Sequence, residues 1–290
     1  MALRIISADE RLAALQSKNT VVIFGPPNVG KTSQIWTLDQ ATTLFIDIEA
    51  GMKSVQDWPG DSIPVRAFTD FTDVACLIGG ANPALRDRDF FSVAHHEHVA
   101  KAYAGLDLKK YTTLFVDSIT DLTRIAMHYA KTTPYAVNEH GKDDIRGAYG
   151  ELGRQVIDAL KHLQHAPMVN IVFVGILELE IDKFKRETWQ PQMEGAKAGR
   201  ELPGIVNNVV TMSWFDFTPA GPIHNPEKGE HRAFVCQKIN PWSLPAKDRS
   251  GNLDLLEEPH LGKLIAKMNR SQRAASERLI ITKPTAATAF

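Results

Sequence analysis

A lysine and a threonine follow a glycine-rich stretch near the start of the chain, and their spacing suits phosphate chemistry. Residues 25–32 read GPPNVGKT and match the pattern G-x-x-x-x-G-K-[ST]. Glycines in such a loop let backbone N–H groups approach an anion, and the start of a following helix adds to the attraction. Lys31 would reach the β- and γ-phosphates of a nucleotide, while the Thr32 hydroxyl would bind Mg²⁺. The residues expected to hold the nucleotide are Gly25, Pro26, Pro27, Asn28, Val29, Gly30, Lys31, Thr32 and Ser33.

Glu49 stands at the end of an apolar segment and could activate water. Residues 43–49 read as a strand that ends in acids, and the Ala-Gly pair at 50–51 interrupts it. In a parallel sheet, ligands bind beyond the carboxyl ends of the strands, which places Glu49 beside the expected phosphates. A carboxylate there could orient or deprotonate the water that attacks the γ-phosphate. Asp47 is the second candidate, and a solvated carboxylate that caps the loop is the alternative for Glu49.

Asp117 closes another apolar segment in the form of a Walker B motif. Residues 111–118 read as a buried strand that this acid terminates. Downstream of a phosphate-binding loop, such an aspartate holds Mg²⁺, usually through water, while Thr32 ligates the ion directly. Ser118 and Asp121 could support the metal ligands by hydrogen bonds. Asp121 could instead stabilise the start of the following helix through its charge.

Glu178 follows an apolar segment at 170–177, which reads as a fully buried strand. If that strand ends at the nucleotide edge of the sheet, the Glu178 carboxylate could sense the γ-phosphate. A carboxylate that anchors the following loop is the alternative. The sequence therefore adds Glu178 to the candidate catalytic residues without choosing between these two roles.

Residues 180–203 are predicted to form a long loop in which cations alternate with aromatic rings. Long loops inside compact domains usually carry function. Basic groups contact phosphates and aromatic rings stack on bases, so this composition suits single-stranded nucleic acid. Acidic residues within the segment dilute its charge, and a loop that only covers the site is the alternative. The candidate nucleic-acid contacts are Lys183, Lys185, Arg186, Trp189, Lys197 and Arg200.

These residues can meet only if the strands that carry them lie side by side. Strand-like segments alternate with helix-like ones, which predicts an α/β fold with a mostly parallel, twisted central sheet flanked by helices. A Pro/Gly-rich turn between two late strand-like segments predicts an antiparallel β extension near the C-terminal end. Predicted strands cover 21–24, 43–49, 63–66, 111–118, 170–177, 205–217 and 232–237, and predicted helices cover 33–38, 71–78, 122–131, 148–165 and 259–268.

Two charged segments, residues 132–147 and 95–98, are predicted to have no catalytic role. Residues 132–147 are rich in charge and in turn formers, and they are predicted to form a mobile loop. Residues 95–98 read His-His-Glu-His and invite a metal site, but adjacent positions on a helix do not share a face. We therefore interpret residues 95–98 as a solvated helix start.

Composition indicates an ordinary soluble globular protein. Of the 290 residues, 43% are hydrophobic and 23% are charged, and the formal net charge of −1 provides no global basic field for nucleic acid. Binding to nucleic acid must then be local or arise through assembly. The two cysteines, Cys76 and Cys236, suit a reducing cytosol rather than a disulfide framework. No apolar run approaches membrane-spanning length, so we expect a cytoplasmic protein without a membrane partner.

The order of these motifs resembles the RecA-like core of P-loop ATPases, and more narrowly the short ATPases of this kind that phages and prophages encode. The most specific parts are GPPNVGKT, FIDIEAG, LFVDS and the late segment Ala-Lys-Asp-Arg at 246–249. Some of those short ATPases act as single-strand annealing recombinases. The resemblance covers about residues 21–268 and implies a bacterial host or a phage-infected cell. RecA itself has a glutamine where this chain has Glu178, so sensing of the γ-phosphate would differ.

The resemblance also implies roles for particular residues. Glu49 corresponds to the catalytic glutamate of the family, and residues 136–147 and 180–203 correspond to its two DNA-binding loops. Lys247 and Arg249 match late basic residues that reach the γ-phosphate of a neighbouring subunit. A cation delivered in this way stabilises charge in the transition state and couples hydrolysis to assembly. A solvated turn is the alternative for these two cations.

We therefore predict a Mg²⁺-dependent ATPase of RecA-like fold that binds single-stranded DNA and forms a homo-oligomeric ring or filament, in phage-type DNA recombination or annealing. The alternative is a nucleotide-gated assembly or adaptor ATPase, in replication or packaging support, that does not bind DNA. A small-molecule kinase is the third hypothesis and ranks below the other two, because Glu49 suits water activation and the sequence indicates no second substrate pocket. The predicted organisation is an N-terminal helical segment at 1–20, an ATPase core at 21–270 and a tail at 271–290.

Overall fold

The computed structural model describes residues 5–15, 18–166, 169–181, 183–185 and 187–270. The predicted tail at 271–290 and the candidate Arg186 lie outside these residues. In the described ranges, the strands are β1 (Thr20–Gly25), β2 (Thr43–Asp47), β3 (Asp61–Pro64), β4 (Thr113–Asp117), β5 (Asn170–Ile181), β6 (Glu187–Pro191), β7 (Asn208–Thr218), β8 (Gly221–His224), β9 (His231–Val235) and β10 (Leu256–Glu257). The α-helices there are α1 (Ala8–Leu15), α2 (Phe68–Gly79), α3 (Val93–Ala102), α4 (Ile119–Lys131), α5 (Ile145–His165), α6 (Ala196–Ile205) and α7 (Leu261–Met268), and 3₁₀ helices cover Thr32–Thr37, Gly51–Val55 and Pro134–Ala136.

A single sheet organises these elements. Its strand order is β10-β9-β7-β1-β5-β4-β2-β3, and β6 and β8 pair with β5 and β7. β1 pairs in parallel with both β5 and β7, and the parallel pairing continues through β4 and β2 to β3. β9 runs antiparallel to β7, and β10 runs antiparallel to β9. The predicted α/β class, with a mostly parallel central sheet and antiparallel strands toward the C-terminal end, is confirmed.

Alternate residues of β1 enter two different layers of the core. Val22 and Phe24 pack in the layer that contains α2, α4 and α5. Val21 and Ile23 pack in the layer that contains α7 and Ile35 of the first 3₁₀ helix. The four β1 side chains are 0% exposed. A parallel strand that is covered on both faces reads as a continuous apolar run, which is why residues 21–24 could be recognised.

The register of the sheet brings the ends of β1, β2 and β4 to one edge. Asp47 at the end of β2 is paired with Asp117 at the end of β4, and Asp117 is paired with Val174 of β5. Gly25 at the end of β1 is paired with Ile176, which lies further along the same strand. The phosphate-binding segment and the predicted acids therefore share the carboxyl edge of the parallel strands.

The two strands that flank β1 continue beyond it and fold back as hairpins. β5 runs on to Ile181 and pairs with β6, while β7 runs on to Thr218 and pairs with β8. The ring of Trp189 on β6 meets the ring of His224 on β8 edge-on, with 5.7 Å between the ring centroids. The two hairpins therefore contact each other beyond the end of β1.

The prediction of a long loop at 180–203 is wrong. The end of β5, strand β6 and helix α6 occupy most of this segment. Ala198, Leu202 and Ile205 are buried and recur at helical spacing, so they hold α6 against the core. The N–H of Glu194 also donates to the Thr123 hydroxyl of α4 at 3.0 Å. Regular hydrogen bonding and burial thus replace the irregular loop that the turn-forming residues suggested.

The helix predicted at 33–38 is a 3₁₀ helix of six residues, Thr32–Thr37. Threonine and isoleucine are β-branched and are weak α-helix formers, which explains the short element. The end of this 3₁₀ helix contacts the start of α7, where the N–H of Gly262 donates to the Thr37 hydroxyl at 3.1 Å. A helix this short has a small dipole, so the anion attraction expected from the sequence would depend on the loop N–H groups and on Lys31.

The segment predicted as a mobile loop at 132–147 contains a hydrogen-bonded turn. The Asn138 side-chain oxygen accepts from the N–H of His140 at 2.9 Å and from the N–H of Lys142 at 3.0 Å. Val137 and Asp143 form an antiparallel bridge at the base of this turn. The polar residues of the segment therefore close a turn between α4 and α5.

His95 is tied to its surroundings near the start of α3. Its Nδ1 accepts the N–H of Phe91 at 2.9 Å, which leaves Nε2 to donate to the Asp73 carboxylate at 3.0 Å. Within the described residues, no group of three or more His, Cys, Asp or Glu side chains could hold a metal ion. The structure thus gives His95 a role in packing α3 against α2.

His162 of α5 is half-buried in the helical layer, and we expect its contribution to folding stability to be lost in acid. Its ring stacks on Phe91 with 4.1 Å between centroids, and burial lowers the pKa of His162 to about 4. Because the pKa falls from 6.5 on folding, the unfolded chain gains the proton first as the pH decreases. The contribution of neutral His162 to the free energy of unfolding is fully present above pH 6.5. It is lost as the pH falls from 6.5 to about 4, a change on the order of 2–3 kcal/mol.

We expect His162→Phe to flatten this part of the pH dependence, because phenylalanine keeps the stack and cannot bind a proton. The measurement is urea unfolding of both proteins at pH 7 and pH 4.5. His140→Gln is the matched control, since the His140 side chain is 76% exposed. Equal losses of stability in His162→Phe and in the unsubstituted protein would contradict the prediction.

Candidate active site

The phosphate-binding segment forms a tight loop between β1 and the first 3₁₀ helix. A Cβ on Gly25 would lie 2.4 Å from the carbonyl oxygen of Met212, so only glycine fits there. Asn28 and Gly30 have φ values of 63° and 97°, which turn the loop back on itself. The loop borders a cavity of about 590 Å³. The cavity is lined by Pro27, Asn28, Gly30, Lys31, Thr32, Ser33, Glu49, Gly51, Lys53, Ser54, Asp117, Ser118 and Ile176.

Lys31 lies inside the loop. Its Nζ donates to the carbonyl oxygens of Gly25 at 3.0 Å and Pro26 at 2.9 Å. Burial lowers the pKa of Lys31, while the negative charges of Asp117 and Glu49 oppose that shift. The ammonium is therefore held at the cavity wall by neutral acceptors, which a phosphate can replace with charge-assisted hydrogen bonds.

Thr32 and Asp117 bring two hard oxygen donors together. The Thr32 hydroxyl donates to Asp117 Oδ2 at 2.6 Å, and the Asp117 side chain is buried. Burial, with Glu49 nearby, raises the pKa of Asp117 to about 6, although the hydrogen bond from Thr32 opposes the shift. A cation beside this carboxylate would offset the cost of burying its charge. Hydroxyl and carboxylate oxygens are ligands that Mg²⁺ prefers, so these two residues fit the ion.

Glu49 lines the cavity beside this pair. Its backbone N–H donates to the carbonyl oxygen of Asp117 at 3.1 Å, and its side chain is exposed. Asp47, the second candidate for water activation, is buried and accepts the N–H of Gly51 at 3.2 Å. Arg66 lies 3.4 Å from the other oxygen of Asp47. Asp47 therefore shapes the turn after β2, while the carboxylate of Glu49 is available to the cavity.

Ser118 and Asp121 are joined at the start of α4. The N–H of Asp121 donates to the Ser118 hydroxyl at 3.1 Å, and that hydroxyl donates to Asp121 Oδ2 at 2.6 Å. Arg124 lies 2.8 Å from Asp121 Oδ1 on the next turn. This arrangement caps the helix, which is the second of the two roles considered for Asp121.

Glu178 lies outside the cavity, which corrects the position expected for it. β5 does not end before this residue, and Glu178 is paired with Gln190 of β6. Its exposed carboxylate accepts from the Gln192 side chain at 3.1 Å. Ile176 is the β5 residue that lines the cavity. Because β5 continues as a hairpin, Glu178 lies two residues beyond Ile176 and is paired with β6.

The candidate nucleic-acid contacts are divided between a hairpin and a helix. Lys183 and Lys185 are exposed between β5 and β6. Trp189 is half-buried on β6 against His224. Lys197 and Arg200 are exposed on α6, and Arg200 donates to the Ala196 carbonyl of the same helix at 3.1 Å. The predicted single basic loop is therefore two separate surfaces, and Arg186 lies outside the described residues.

Lys247 and Arg249 bind the end of α6. Lys247 Nζ donates to the carbonyl oxygens of Pro203 and, at 2.9 Å, Val206, and Arg249 Nη2 donates to that of Gly204 at 3.4 Å. Backbone pairing with Val209 fixes Lys247 beside the first residues of β7. This is the amino edge of the parallel strands, opposite the cavity of the same chain. Their cations stabilise the C-terminal carbonyls of a helix, as charges of this sign do.

Two cations near the phosphate loop were missed. Lys53, on the 3₁₀ helix Gly51–Val55, lines the cavity. Arg232 of β9 stacks over the Trp214 ring at 4.4 Å and lies 3.1 Å from where a Cβ on Gly30 would stand. The Ala-Gly pair that ends the second predicted strand signals a turn, but it does not indicate that Lys53 lies at the cavity. The Pro/Gly-rich turn predicted the antiparallel return of β9, but no local signal indicates that this return brings Arg232 to the loop.

The fold and the cavity define this protein as a P-loop nucleoside triphosphatase. A glycine-lined loop with Lys31 and Thr32 follows a central parallel strand, and an acid from a nearby strand meets the threonine hydroxyl. The chain belongs to the AAA domain family, whose model matches residues 17–250.

Comparisons with solved structures show general similarity. The RadB recombinase is similar over 81% of this chain and 91% of its own, with 11% identity and a TM-score of 0.36. A prototypical ATPase from the type III secretion system of pathogenic bacteria is similar over 67% of this chain, which spans 50% of its length, with 12% identity and a TM-score of 0.36. The pCW3 conjugation coupling protein TcpA is similar over 76% of this chain and 58% of its own, with 14% identity and a TM-score of 0.36. A comparison with curated protein sequences found no match.

Proposed function

We propose that the protein hydrolyses ATP in a Mg²⁺-dependent reaction with water as the attacking group. The observation that carries the proposal is the meeting of Lys31, Thr32, Asp117 and Glu49 at one cavity. Lys31 binds phosphate oxygens, and Thr32 and Asp117 hold the metal ion, which neutralises charge on the phosphates when it is bound. Glu49 is the exposed carboxylate of this group, and in this proposal it acts on water.

In this reaction one proton moves to a residue of the chain, while the bond that forms and the bond that breaks both involve the γ-phosphorus of ATP. Glu49 orients the water and accepts a proton as the water oxygen bonds to the γ-phosphorus. The bond between the γ-phosphorus and the bridging oxygen breaks, and its electron pair stays with ADP. Lys31 donates hydrogen bonds to the phosphate oxygens as their charge changes. The products are ADP and inorganic phosphate.

Lys31→Ala tests the assignment of the nucleotide site. ATP binding is measured by titration calorimetry and release of phosphate is measured at saturating ATP with Mg²⁺. The substitution should remove both, because the cation at the loop is lost. Lys101→Ala is the control, since Lys101 is exposed on α3 away from the cavity. Unchanged binding and turnover in Lys31→Ala would refute the assignment.

We further propose that the protein binds single-stranded DNA and assembles as a homo-oligomeric ring or filament, as the resemblance to phage-type RecA-like ATPases implies. Support comes from the β5–β6 hairpin, where Lys183 and Lys185 are exposed and Phe184 is 65% exposed. The Lys183 ammonium lies 5.1 Å from the Phe184 ring. Cations beside an exposed ring suit phosphate contacts and base stacking. The same hairpin begins beside Ile176 of the nucleotide cavity.

Fluorescence anisotropy with a labelled oligonucleotide tests the DNA proposal. Binding should be salt-sensitive and should increase with a non-hydrolysable ATP analogue. The double variant Lys183→Glu, Lys185→Glu should weaken it by about tenfold or more, while Lys101→Glu should not. Absence of binding under all conditions would favour the second candidate, a nucleotide-gated assembly or adaptor ATPase. The net charge of −1 is the observation that favours that candidate.

We also propose that the protein acts in the cytoplasm of a bacterial host or a phage-infected cell. Its process there would be DNA recombination or annealing. In the ranges that the structure describes, no helix has the length and apolar character to cross a bilayer. Cell fractionation of the tagged protein, with and without phage infection, measures where it is found.

A further inference from the structure

The phosphate cavity contains an unassigned cation. Its ionisable lining residues are Lys31, Glu49, Lys53 and Asp117, two bases and two acids. A bound triphosphate adds several negative charges, and charge spreads over the equatorial oxygens of the γ-phosphoryl group during transfer. Lys31 already serves the loop, where its Nζ is held by the Gly25 and Pro26 carbonyls. The remaining basic group of the lining is Lys53.

The segment that carries Lys53 is held firmly at both ends. At its start, Asp47 accepts the N–H of Gly51 at 3.2 Å, and the Ser54 hydroxyl donates to the Gly51 carbonyl at 3.0 Å. At its end, Val55 is 1% exposed in the core, and its carbonyl accepts the N–H of Trp58 at 2.8 Å. The backbone of the 3₁₀ helix is therefore fixed, while Lys53 is exposed and lines the same cavity as Glu49.

The Lys53 ammonium is also uncommitted. Within the described part of the chain, it makes no hydrogen bond or ion pair. Other basic groups considered for this role are engaged elsewhere, since Lys247 and Arg249 bind carbonyls of α6 and Arg232 stacks over a tryptophan ring. A flexible, free cation at the cavity wall can follow a phosphate group through a reaction without first breaking another contact.

We propose that Lys53 contacts the γ-phosphate of the nucleotide bound in its own subunit and stabilises the charge of the transition state. The proposal rests on the hydrolysis proposed above and adds a cation supplied in cis. In that step, the water oxygen bonds to phosphorus, Glu49 takes the proton, and the electron pair of the broken bond stays with ADP. Lys53 donates to a γ-phosphate oxygen most strongly when charge spreads over these oxygens in the transition state, and it neither gains nor loses a proton.

The first test compares Lys53→Ala, Lys53→Gln and Lys53→Arg in the full chain with Mg²⁺. We expect Lys53→Ala and Lys53→Gln to lower kcat about 10²-fold, as the loss of one charge-stabilising donor does. The affinity for ATP should change by less than about threefold, since Lys31 and the loop hold the phosphates. Lys53→Arg, which keeps the charge, should recover part of kcat. Lys101→Ala serves as the control, and thermal unfolding checks that each variant is folded.

A mixing experiment tests the same-subunit part of the proposal. Lys53→Ala is mixed with Lys31→Ala, which keeps Lys53 but lacks the phosphate-binding lysine. If Lys53 acts within its own subunit, the mixture should show only the sum of the two separate rates. Turnover above that sum would show that Lys53 acts across an interface and would overturn the claim.

The outcomes separate this inference from the proposed function. If the unsubstituted protein turns over ATP and Lys53→Ala has the same kcat, the role of Lys53 is refuted and the hydrolysis proposal stays intact. Equal losses in Lys53→Ala and Lys53→Arg refute a role for the charge. An unsubstituted protein that binds ATP without releasing phosphate refutes both proposals at once.

Discussion

Glu49→Gln should reduce steady-state ATP turnover by about 10²–10⁴-fold, the range expected when a general base is lost. Glutamine keeps the size and polarity of the side chain but cannot accept the proton of the attacking water. Lys31, Thr32 and Asp117 are unchanged in this variant, so ATP and Mg²⁺ should bind about as well as before. Because Glu49 is exposed at the cavity, the substitution should leave folding stability within about 0.5 kcal/mol.

Single-turnover phosphate release with enzyme in excess measures the chemical step directly, and a fluorescent ATP analogue measures binding. Glu97→Gln is the control, because Glu97 is exposed on α3. Asp47→Asn is the informative comparison. It removes the partner of Arg66 and weakens the acceptor of the Gly51 N–H, so its main effect should be on stability. A larger loss of turnover in Asp47→Asn than in Glu49→Gln, with both proteins folded, would reverse the assignment.

Asp117→Asn should have two opposite effects. It should abolish Mg²⁺-dependent turnover, because the carboxylate that supports the metal is lost. It should also stabilise the metal-free protein at pH 7.5. Burial raises the pKa of Asp117 to about 6, above its ordinary value of 3.8, so the ionised carboxylate is unfavourable in the folded state. Asparagine removes that cost, on the order of 1–3 kcal/mol.

The sign of this effect gives a pH test. A group whose pKa is raised on folding stabilises the protein below its unfolded pKa and loses that contribution as the pH rises through the folded pKa. The advantage of Asp117→Asn should therefore be largest above pH 6 and should shrink toward pH 4. Thermal unfolding in EDTA at pH 7.5 and pH 4.5 measures it, with the exposed Asp57→Asn as control. A variant that is less stable at pH 7.5 without metal would contradict the prediction.

The parts of the site that could be predicted depend on local signals. The residues of the phosphate loop are consecutive, and only glycine tolerates the contact that Gly25 makes with the Met212 carbonyl. Asp117 and Glu49 were found because each follows an apolar run, and buried parallel strands read as such runs. The order of these runs also gave the fold class, since helices alternate with parallel strands. Pairing of the strands at one edge then brought the acids to the loop.

The β5–β6 hairpin shows why other parts could not be predicted. Leu177, Leu179 and Ile181 alternate with Glu178 and Glu180, but this pattern was too short to extend the strand beyond its buried part. The turn that closes the hairpin also lacks the usual signal, since a lysine, Lys185, has the left-handed φ of 59°. A glycine or asparagine is the residue expected at such a position.

The positions of Lys53 and Lys247 could not be predicted, because they depend on contacts in space that leave no local signal in the sequence. Lys53 lies four residues after Glu49, but whether it turns toward the phosphates depends on the anchoring of Gly51 and Val55. The family resemblance implies a role for Lys247 at a neighbouring subunit, whereas its contacts in this chain are to carbonyls at the end of α6. Those carbonyls belong to residues more than forty positions earlier, at 203 and 206.

A neighbouring molecule that drew on Lys247 and Arg249 would have to exchange their contacts with the end of α6. Pro203 and Gly204 are exposed, so water can replace the cations at these two carbonyl oxygens. Val206 is buried, so its carbonyl oxygen is the acceptor whose loss of a partner costs about 1–3 kcal/mol. Association through Lys247 would therefore carry this local cost, and an isolated protomer would keep the ammonium on its own chain.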